Sequence, residues 1–158
     1  MTTLTQSHGV EFTRIYSYGA ARGDLVVPNS ELIEAIDSSD EWIQQRTGII
    51  TRTRASAGIL AVDLATDAAT EAIAKSGVAA SDIDLVIVAT IGNVQQTPSV
   101  AAVVADRVGA NPAAAYDTNA ACAGFSYAVT QADALIRSGA AHYALVIGAE
   151  KLSDFVDP

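Results

Sequence analysis

Two stretches of the chain are almost entirely apolar, and both are typical of strands that are buried on both faces of a sheet. They run from Ile83 to Thr90 and from Tyr143 to Ala149, and both are rich in Ile, Val and Leu. Near-continuous apolar runs of this length are the pattern of parallel strands that are covered by helices. A third, shorter strand is predicted over Ala113–Asp117.

The segments between these strands repeat their apolar positions with the period of a helix. Residues 60–76 carry Leu, Ala and Ile on one side and three acidic residues on the other, and residues 99–108 and 123–137 are further Ala-rich helices. A glycine follows each of them, which is the usual residue after a helix end. The alternation of strand and helix predicts the α/β class, with a largely parallel sheet.

Shorter elements are predicted in the first third of the chain. Residues 1–9 are expected to form a disordered leader. The expected elements that follow are a first strand within 10–20, an edge strand over 26–28, a short helix from Asn29 or Ser30 to Ile36, a second helix that begins after Ser38 or Ser39 and ends at Gly48, and an extended segment over 49–54.

The helix over residues 123–137 differs from the others because it is apolar on nearly all sides. Phe125, Val129 and Leu135 lie on it, and its first three turns carry no charge before Asp133. A helix of this kind is usually covered on more than one side. We expect another layer to cover it, supplied either by a partner chain or by sequence outside this chain.

Composition excludes several classes of partner and site. Of the 158 residues, 50% are apolar and 17% are charged, and the net charge is −9, which argues against nucleic acid or an anionic membrane surface as a partner. No apolar run has the ~18 residues of a membrane span, and the polar start does not resemble a signal peptide. A single cysteine excludes an internal disulfide, and no metal-ligand spacing is present. These features predict a cytoplasmic protein.

The single cysteine, Cys122, is the candidate for chemistry. It is predicted to lie in a strand-to-helix turn, where the free N–H groups and the positive end of the helix dipole favour a thiolate, the reactive form of a nucleophile. Small residues on both sides leave room for an acyl group to approach the sulfur. Taken alone, the alternative that Cys122 is a small buried apolar residue is the favoured one.

Three segments resemble the N-terminal half of β-ketoacyl-acyl-carrier-protein synthase III, of the thiolase superfamily. Residues 37–49, D-S-S-D-E-W-I-Q-Q-R-T-G-I, are similar to the family's S-D-E-W-I-x-x-R-T-G-I motif. Residues 117–127 are similar to its nucleophile motif, in which A-C-A-G-F is nearly diagnostic. Residues 96–99, Q-T-P-S, are similar to its acyl-pocket loop. The resemblance spans about Arg14 to Pro158.

The resemblance implies a role for each matching residue. Cys122 is the nucleophile that takes the acyl group from acyl-CoA as a thioester. Thr97 and Phe125 line the acyl pocket, with Thr97 contributed across a dimer interface, and a Thr where some members carry Phe suggests a primer larger than acetyl. The residues implied to hold coenzyme A are Trp42, which stacks on the adenine, Arg46, which binds the phosphates, and Ser38, a smaller polar contact.

The resemblance also implies an architecture and a reaction. Residues 10–158 would form one α/β half of a thiolase-like fold with five layers, α-β-α-β-α, in a homodimer. The reaction would start fatty-acid synthesis: acyl-CoA is a substrate, no cofactor is needed, and the acyl-enzyme condenses with malonyl-acyl-carrier protein. The family's catalytic His and Asn lie in the C-terminal half, and neither His8 nor His142 matches them.

Two alternatives remain open from the sequence. A condensing enzyme of the same fold could start polyketide synthesis instead. The chain could also be a non-catalytic half, with an exposed middle layer that makes it an interaction subunit.

Overall fold

Helices and strands alternate along the chain in a computed structural model, which describes residues 8–33, 36–93 and 95–156. Most of the predicted leader, residues 1–7, lies outside the described residues. The elements in chain order are β1 (Leu25–Pro28), α1 (Asp40–Thr47), β2 (Thr51–Arg54), α2 (Ala61–Ser76), β3 (Leu85–Ala89), α3 (Val100–Val108), β4 (Ala114–Thr118), α4 (Gly124–Arg137) and β5 (Ala144–Gly148).

The centre of the fold is a three-stranded parallel sheet with the order β4–β3–β5. Every residue of β3 is buried, as the apolar run predicted. For β5 the prediction of complete burial is wrong. Leu145 and Ile147 are buried on the face of α2 and α3, but Val146 is only half-buried and Gly148 is exposed, because the α4 face of this strand is less completely covered. The α/β class with a parallel sheet is confirmed.

Alternate residues of β3 build two separate cores. Val86 and Val88 pack with Val104 of α3 and with small residues of α2 and α3 on one face of the sheet. Ile87 packs with Ala128 and other small residues of α4 on the opposite face. The sheet is therefore the middle of three layers, and among the described residues α4 is the only helix that contributes buried residues to the core on its face.

The helices begin and end where the sequence predicted. The Ser39 hydroxyl accepts a hydrogen bond from the Trp42 N–H at 3.1 Å and caps α1, and Ser99 caps α3 in the same way. Gly48, Gly77 and Gly109 follow α1, α2 and α3 with φ of 72°, 73° and 77°, the left-handed conformation that favours glycine. None of the helices in the described ranges has the length and apolar character needed to cross a membrane.

The predicted short helix over residues 29–36 is wrong in extent. Only a 3-10 turn over Asn29–Glu31 forms in its described part, and residues 34 and 35 lie outside the description. The Asn29 side chain does not cap a helix, because its amide donates to the Asp40 carboxylate at 2.6 Å and to the Ile49 carbonyl at 2.8 Å. Asn29 therefore ties this turn to the start of α1 and to the residues before β2.

The short strands β1 and β2 pair with each other in antiparallel register, with Pro28 opposite Thr51. This pairing confirms the predicted edge strand and the extended segment after α1. Pro28 has no N–H to donate to a ladder, which agrees with its place at the end of a two-stranded pair.

The strand predicted within residues 10–20 is wrong, because this segment pairs with no strand. Its polar groups bond to helices instead: Thr13 donates to Asp133 of α4 at 2.7 Å, and Ser17 donates to the Ala72 carbonyl of α2 at 2.6 Å. Phe12 and Ile15 are 77% and 86% exposed. Apolar and aromatic residues alone are therefore not sufficient for a strand, because a strand also needs a partner edge, and this segment has none among the described residues.

Candidate active site

Cys122 lies in a 3-10 turn, Ala121–Ala123, between the end of β4 at Thr118 and the start of α4 at Gly124. The predicted strand-to-helix turn is thus confirmed. The thiol is exposed, so the alternative of a buried structural cysteine is wrong. An exposed thiol at this position can meet a substrate from solvent.

Two features of the backbone place the thiol there. Ala121 has a φ of 45°, a left-handed conformation that is unusual for a residue with a side chain and that is often found near functional sites. Gly124 is buried, and an added Cβ would lie 3.1 Å from the Cβ of Ala89. A glycine at this point lets α4 begin in contact with the end of β3.

The first turn of α4 presents backbone donors next to Cys122. No side chain caps this helix, whose N-cap residue is Ala123. The first N–H groups of a helix have no partner within the helix and carry its positive partial charge. These groups can therefore stabilise negative charge that develops beside the sulfur.

Two of the three residues predicted to hold coenzyme A, Trp42 and Arg46, lie together on α1. Trp42 is 55% exposed, which excludes a core role, and the Arg46 guanidinium lies 5.6 Å from the centre of its ring. The Arg46 cation thus lies over the flat Trp42 ring. An aromatic ring of this kind can stack on a nucleotide base, and a guanidinium can bind a phosphate.

Hydrogen bonds to Asp40 fix the start of this helix. Its carboxylate accepts from Gln44 at 2.9 Å and from Asn29 at 2.6 Å. These bonds, that of Gln44 first, lower the pKa of Asp40 below its ordinary value. An ionised carboxylate in the first turn also interacts favourably with the helix dipole. The orientation of Trp42 and Arg46 thus rests on a fixed first turn.

Ser38 and Thr97 differ in their exposure. The Ser38 hydroxyl oxygen is buried and has no hydrogen-bond partner among the described residues, so its contact with coenzyme A stays a prediction. Thr97 is exposed. Its carbonyl accepts a hydrogen bond from the Gln95 amide at 2.9 Å.

Phe125 follows Cys122 by three residues on the first turn of α4, and it is 52% exposed. An added Cβ at Gly148 would lie 3.4 Å from the Phe125 ring, so this ring lies beside the end of β5. No hydrogen bond or ring contact within residues 8–33, 36–93 and 95–156 joins Cys122 to Trp42 or to Thr97. The structure therefore brings Trp42 and Arg46 together on α1, while Cys122 and Phe125 stand three residues apart at the start of α4.

Comparison with known proteins identifies the family. The family model of 3-oxoacyl-[acyl-carrier-protein (ACP)] synthase III matches residues 116–158, which include the Cys122 turn. The chain is 54% identical over 94% of its length to a β-ketoacyl-[acyl-carrier-protein] synthase III of Tropheryma whipplei, and 49% identical over 99% to one of Kocuria rhizophila. The chain belongs to the β-ketoacyl-acyl-carrier-protein synthase III family. It spans about half the length of these curated relatives, 46% and 44% respectively.

Solved structures agree with this family assignment. The synthase III of Aquifex aeolicus matches with a TM-score of 0.88 and 41% identity over 92% of this chain and 47% of its own. A priming β-ketosynthase from the R1128 polyketide pathway matches with a TM-score of 0.87 and 31% identity over 99% of this chain and 46% of its own. The predicted thiolase-like fold is confirmed.

The structure shows contacts of two carboxylates near the ends of the sheet strands that were not predicted from the sequence. Glu150, after β5, accepts from the N–H groups of Ile91 and Gly92 at 2.6 and 3.1 Å. Lys151 is 6% exposed and bonds Asp154 at 2.9 Å.

Asp117, the first residue of the nucleophile motif, is the second missed carboxylate. Its two oxygens accept from the N–H groups of Val100 and Ala101, both at 2.8 Å. The strand that leads to Cys122 therefore holds the first turn of α3 directly. The acidic residue in the motif was visible in the sequence, but its partners were not.

A cavity of about 410 Å³ lies on the α2 and α3 side of the sheet. Side chains of Leu60, Asn93, Gln95, Val103, Lys151 and Phe155 contribute to its lining. None of the predicted site residues lines it. It is therefore separate from the Cys122 turn.

Both histidines lie on the surface. The His142 side chain is 83% exposed and lies 3.6 Å from Asp84 at the start of β3, which is the opposite end of the sheet from Cys122. His8 is exposed as well. Within the described residues, no group of three or more His, Cys, Asp or Glu is placed to hold a metal ion.

Proposed function

We propose that this chain carries the nucleophile of a condensing acyltransferase that starts fatty-acid synthesis, with Cys122 as the acylated residue. The observation that carries the proposal is the exposed Cys122 at the uncapped start of α4. The names of the relatives, β-ketoacyl-[acyl-carrier-protein] synthase III, support the reaction class.

In the first half-reaction the Cys122 sulfur attacks the carbonyl carbon of an acyl-CoA thioester. The new carbon–sulfur bond replaces the bond to coenzyme A, which leaves with the proton of the thiol. The first N–H groups of α4 stabilise the developing oxyanion or the thiolate. Trp42 and Arg46 hold the adenine and phosphates, and Ser38 adds a polar contact.

In the second half-reaction a malonyl group on acyl-carrier protein loses CO2, and the resulting carbanion attacks the acyl thioester. A carbon–carbon bond forms, the carbon–sulfur bond to Cys122 breaks, and the thiolate that leaves takes up a proton from solvent; the product is a 3-oxoacyl-carrier protein. The relatives are about twice as long as this chain. We propose that the His and Asn for decarboxylation lie in the part of the enzyme that this chain does not cover.

The proposed enzyme is a cytoplasmic homodimer that uses no cofactor. Thr97 of one subunit and Phe125 line the acyl pocket. Some members of the family carry Phe at the position of Thr97. Because Thr is smaller than Phe, the pocket of this enzyme favours a primer longer than acetyl.

A starter enzyme for polyketide synthesis is the second candidate. The likeness to the priming β-ketosynthase, at 31% identity over 99% of this chain, favours it. The two candidates share the acylation step and differ in the acceptor of the condensation. Rates with carrier proteins of the two pathways, measured on the full-length enzyme, separate them.

Incubation of the purified chain with acyl-CoA, followed by intact-mass analysis, tests the acylation step. We expect the mass to rise by one acyl group, and a Cys122→Ala chain to stay unmodified. Circular dichroism of both chains establishes that they are folded. An unmodified but folded wild-type chain contradicts the proposal, and favours the alternative of a non-catalytic interaction subunit if it also associates in solution.

A further inference from the structure

Two carboxylates hold the chain on either side of Thr97. We call residues 95–99 the Thr97 segment. Glu150 accepts both N–H groups of Ile91 and Gly92, which precede the segment. Asp117 accepts both N–H groups of Val100 and Ala101, which follow it. The chain is therefore held by ionisable side chains at residues 91 and 92, before the segment, and at residues 100 and 101, directly after it.

The two carboxylates that accept these hydrogen bonds lie in β4 and directly after β5. Asp117 belongs to β4, opposite Val88 of β3, and Cys122 follows it by five positions in the sequence. Glu150 follows β5 by two residues. Because β4 and β5 are the outer strands of the sheet, the Thr97 segment is held from both edges.

The residues around each pair of hydrogen bonds are closely packed. An added Cβ at Gly92 would lie 2.8 Å from the Glu150 carboxylate and 3.3 Å from the Phe155 ring. On the other side, Ala101 is fully buried and Val100 is 6% exposed. Two backbone donors to one carboxylate form charge-assisted hydrogen bonds, which are stronger than neutral ones.

We propose that Asp117 and Glu150 are positioning residues that fix the Thr97 segment to the sheet and thereby set the length of the acyl group that the enzyme accepts. Neither residue is among the predicted acyl-pocket residues, so the proposed effect acts through the backbone that adjoins the Thr97 segment. The claim about acyl length rests on the proposed function, but the claim about position does not.

Hydrogen exchange tests the positional claim on the chain itself. Glu150→Gln is expected to speed amide exchange at Ile91 and Gly92 by about tenfold or more, as lost hydrogen bonds to a charged group predict. Asp117→Asn is expected to do the same at Val100 and Ala101. Unchanged exchange at these amides overturns the claim.

Asp84→Asn is the matched control. Asp84 also accepts two backbone N–H groups, those of His142 and Tyr143 at 2.6 and 3.2 Å, but at the opposite end of the sheet. We expect this variant to speed exchange at residues 142 and 143 and to leave residues 91–101 within about twofold of wild type. Equal acceleration at 91–101 in all three variants would show general destabilisation and overturn the claim.

Acylation rates with acetyl-CoA and decanoyl-CoA test the selectivity claim. We expect Glu150→Gln and Asp117→Asn to change the ratio of the two rates at least about threefold, while iodoacetamide alkylates Cys122 at the wild-type rate. An unchanged ratio in an acylated chain overturns the claim about acyl length. Absence of acylation in the wild type overturns both that claim and the proposed function, and the exchange result still decides the positional claim.

Discussion

The contact between α4 and the sheet can be tested by enlarging one alanine. Ala128 is 0% exposed and packs with Ile87 and other apolar residues of the α4 core. Ala128→Val adds two methyl groups to this closed space. Overpacking of this kind costs about 1–3 kcal/mol, and the lower helix propensity of Val adds about 0.5 kcal/mol.

Ala134→Val is the matched control, because Ala134 lies on the same helix and is exposed. It carries the propensity cost alone, about 0.5 kcal/mol. The difference between the two variants isolates the packing of α4 on the sheet.

Urea unfolding followed by far-UV circular dichroism measures the difference. With a denaturant slope of about 2 kcal/mol/M, a difference of about 2 kcal/mol lowers the midpoint of Ala128→Val by about 1 M relative to Ala134→Val. Equal midpoints would refute the reasoning, since they would mean that α4 does not pack closely where Cys122 is presented.

Three further perturbations have defined outcomes. Gly77→Ala should lower the free energy of unfolding, measured by thermal unfolding, by about 1 kcal/mol, because φ is 73° at this position. Gly58→Ala is the control: an added Cβ meets open space at both positions, but Gly58 has no positive φ, so this variant should keep the wild-type stability. Arg46→Ala should raise the acyl-CoA concentration for half-maximal acylation about tenfold, and Arg22→Ala, an exposed control, should not. Hydrogen bonds, that of the His142 N–H first, lower the pKa of Asp84 below its ordinary value of 3.8. The stability that Asp84 contributes is therefore present above pH 3.8 and is lost as the pH falls below it. The melting temperature, measured from about pH 6 to about pH 2, should change less with pH in Asp84→Asn than in the wild type.

The parts of the fold that could be predicted are those in which local sequence and burial agree. The apolar run of β3 and the glycines after α1, α2 and α3 each follow from forces within a few residues. The segment from Val10 to Ala20 shows the limit of this reasoning. Its apolar and aromatic residues predict an extended chain, but a strand also requires a neighbouring edge, which a single segment cannot specify.

The candidate site also has a part that could be predicted from the sequence and a part that could not. Trp42 and Arg46 lie four residues apart on one helix, so their proximity could be predicted from the sequence. The role of Glu150 could not, because its partners Ile91 and Gly92 precede it by 59 and 58 residues. Contacts of this kind depend on the way the sheet brings strand ends together.

The central claim, that Cys122 is the acylated nucleophile, is tested most directly by locating the acyl group after reaction with acyl-CoA. Cleavage after Arg107 and Arg137 releases a peptide of residues 108–137 that contains the only cysteine. We expect fragmentation to place the acyl group on Cys122 of this peptide, and hydroxylamine to remove it as a thioester. An acyl group found only on Lys75 or Lys151, or none on a folded chain, would contradict the account.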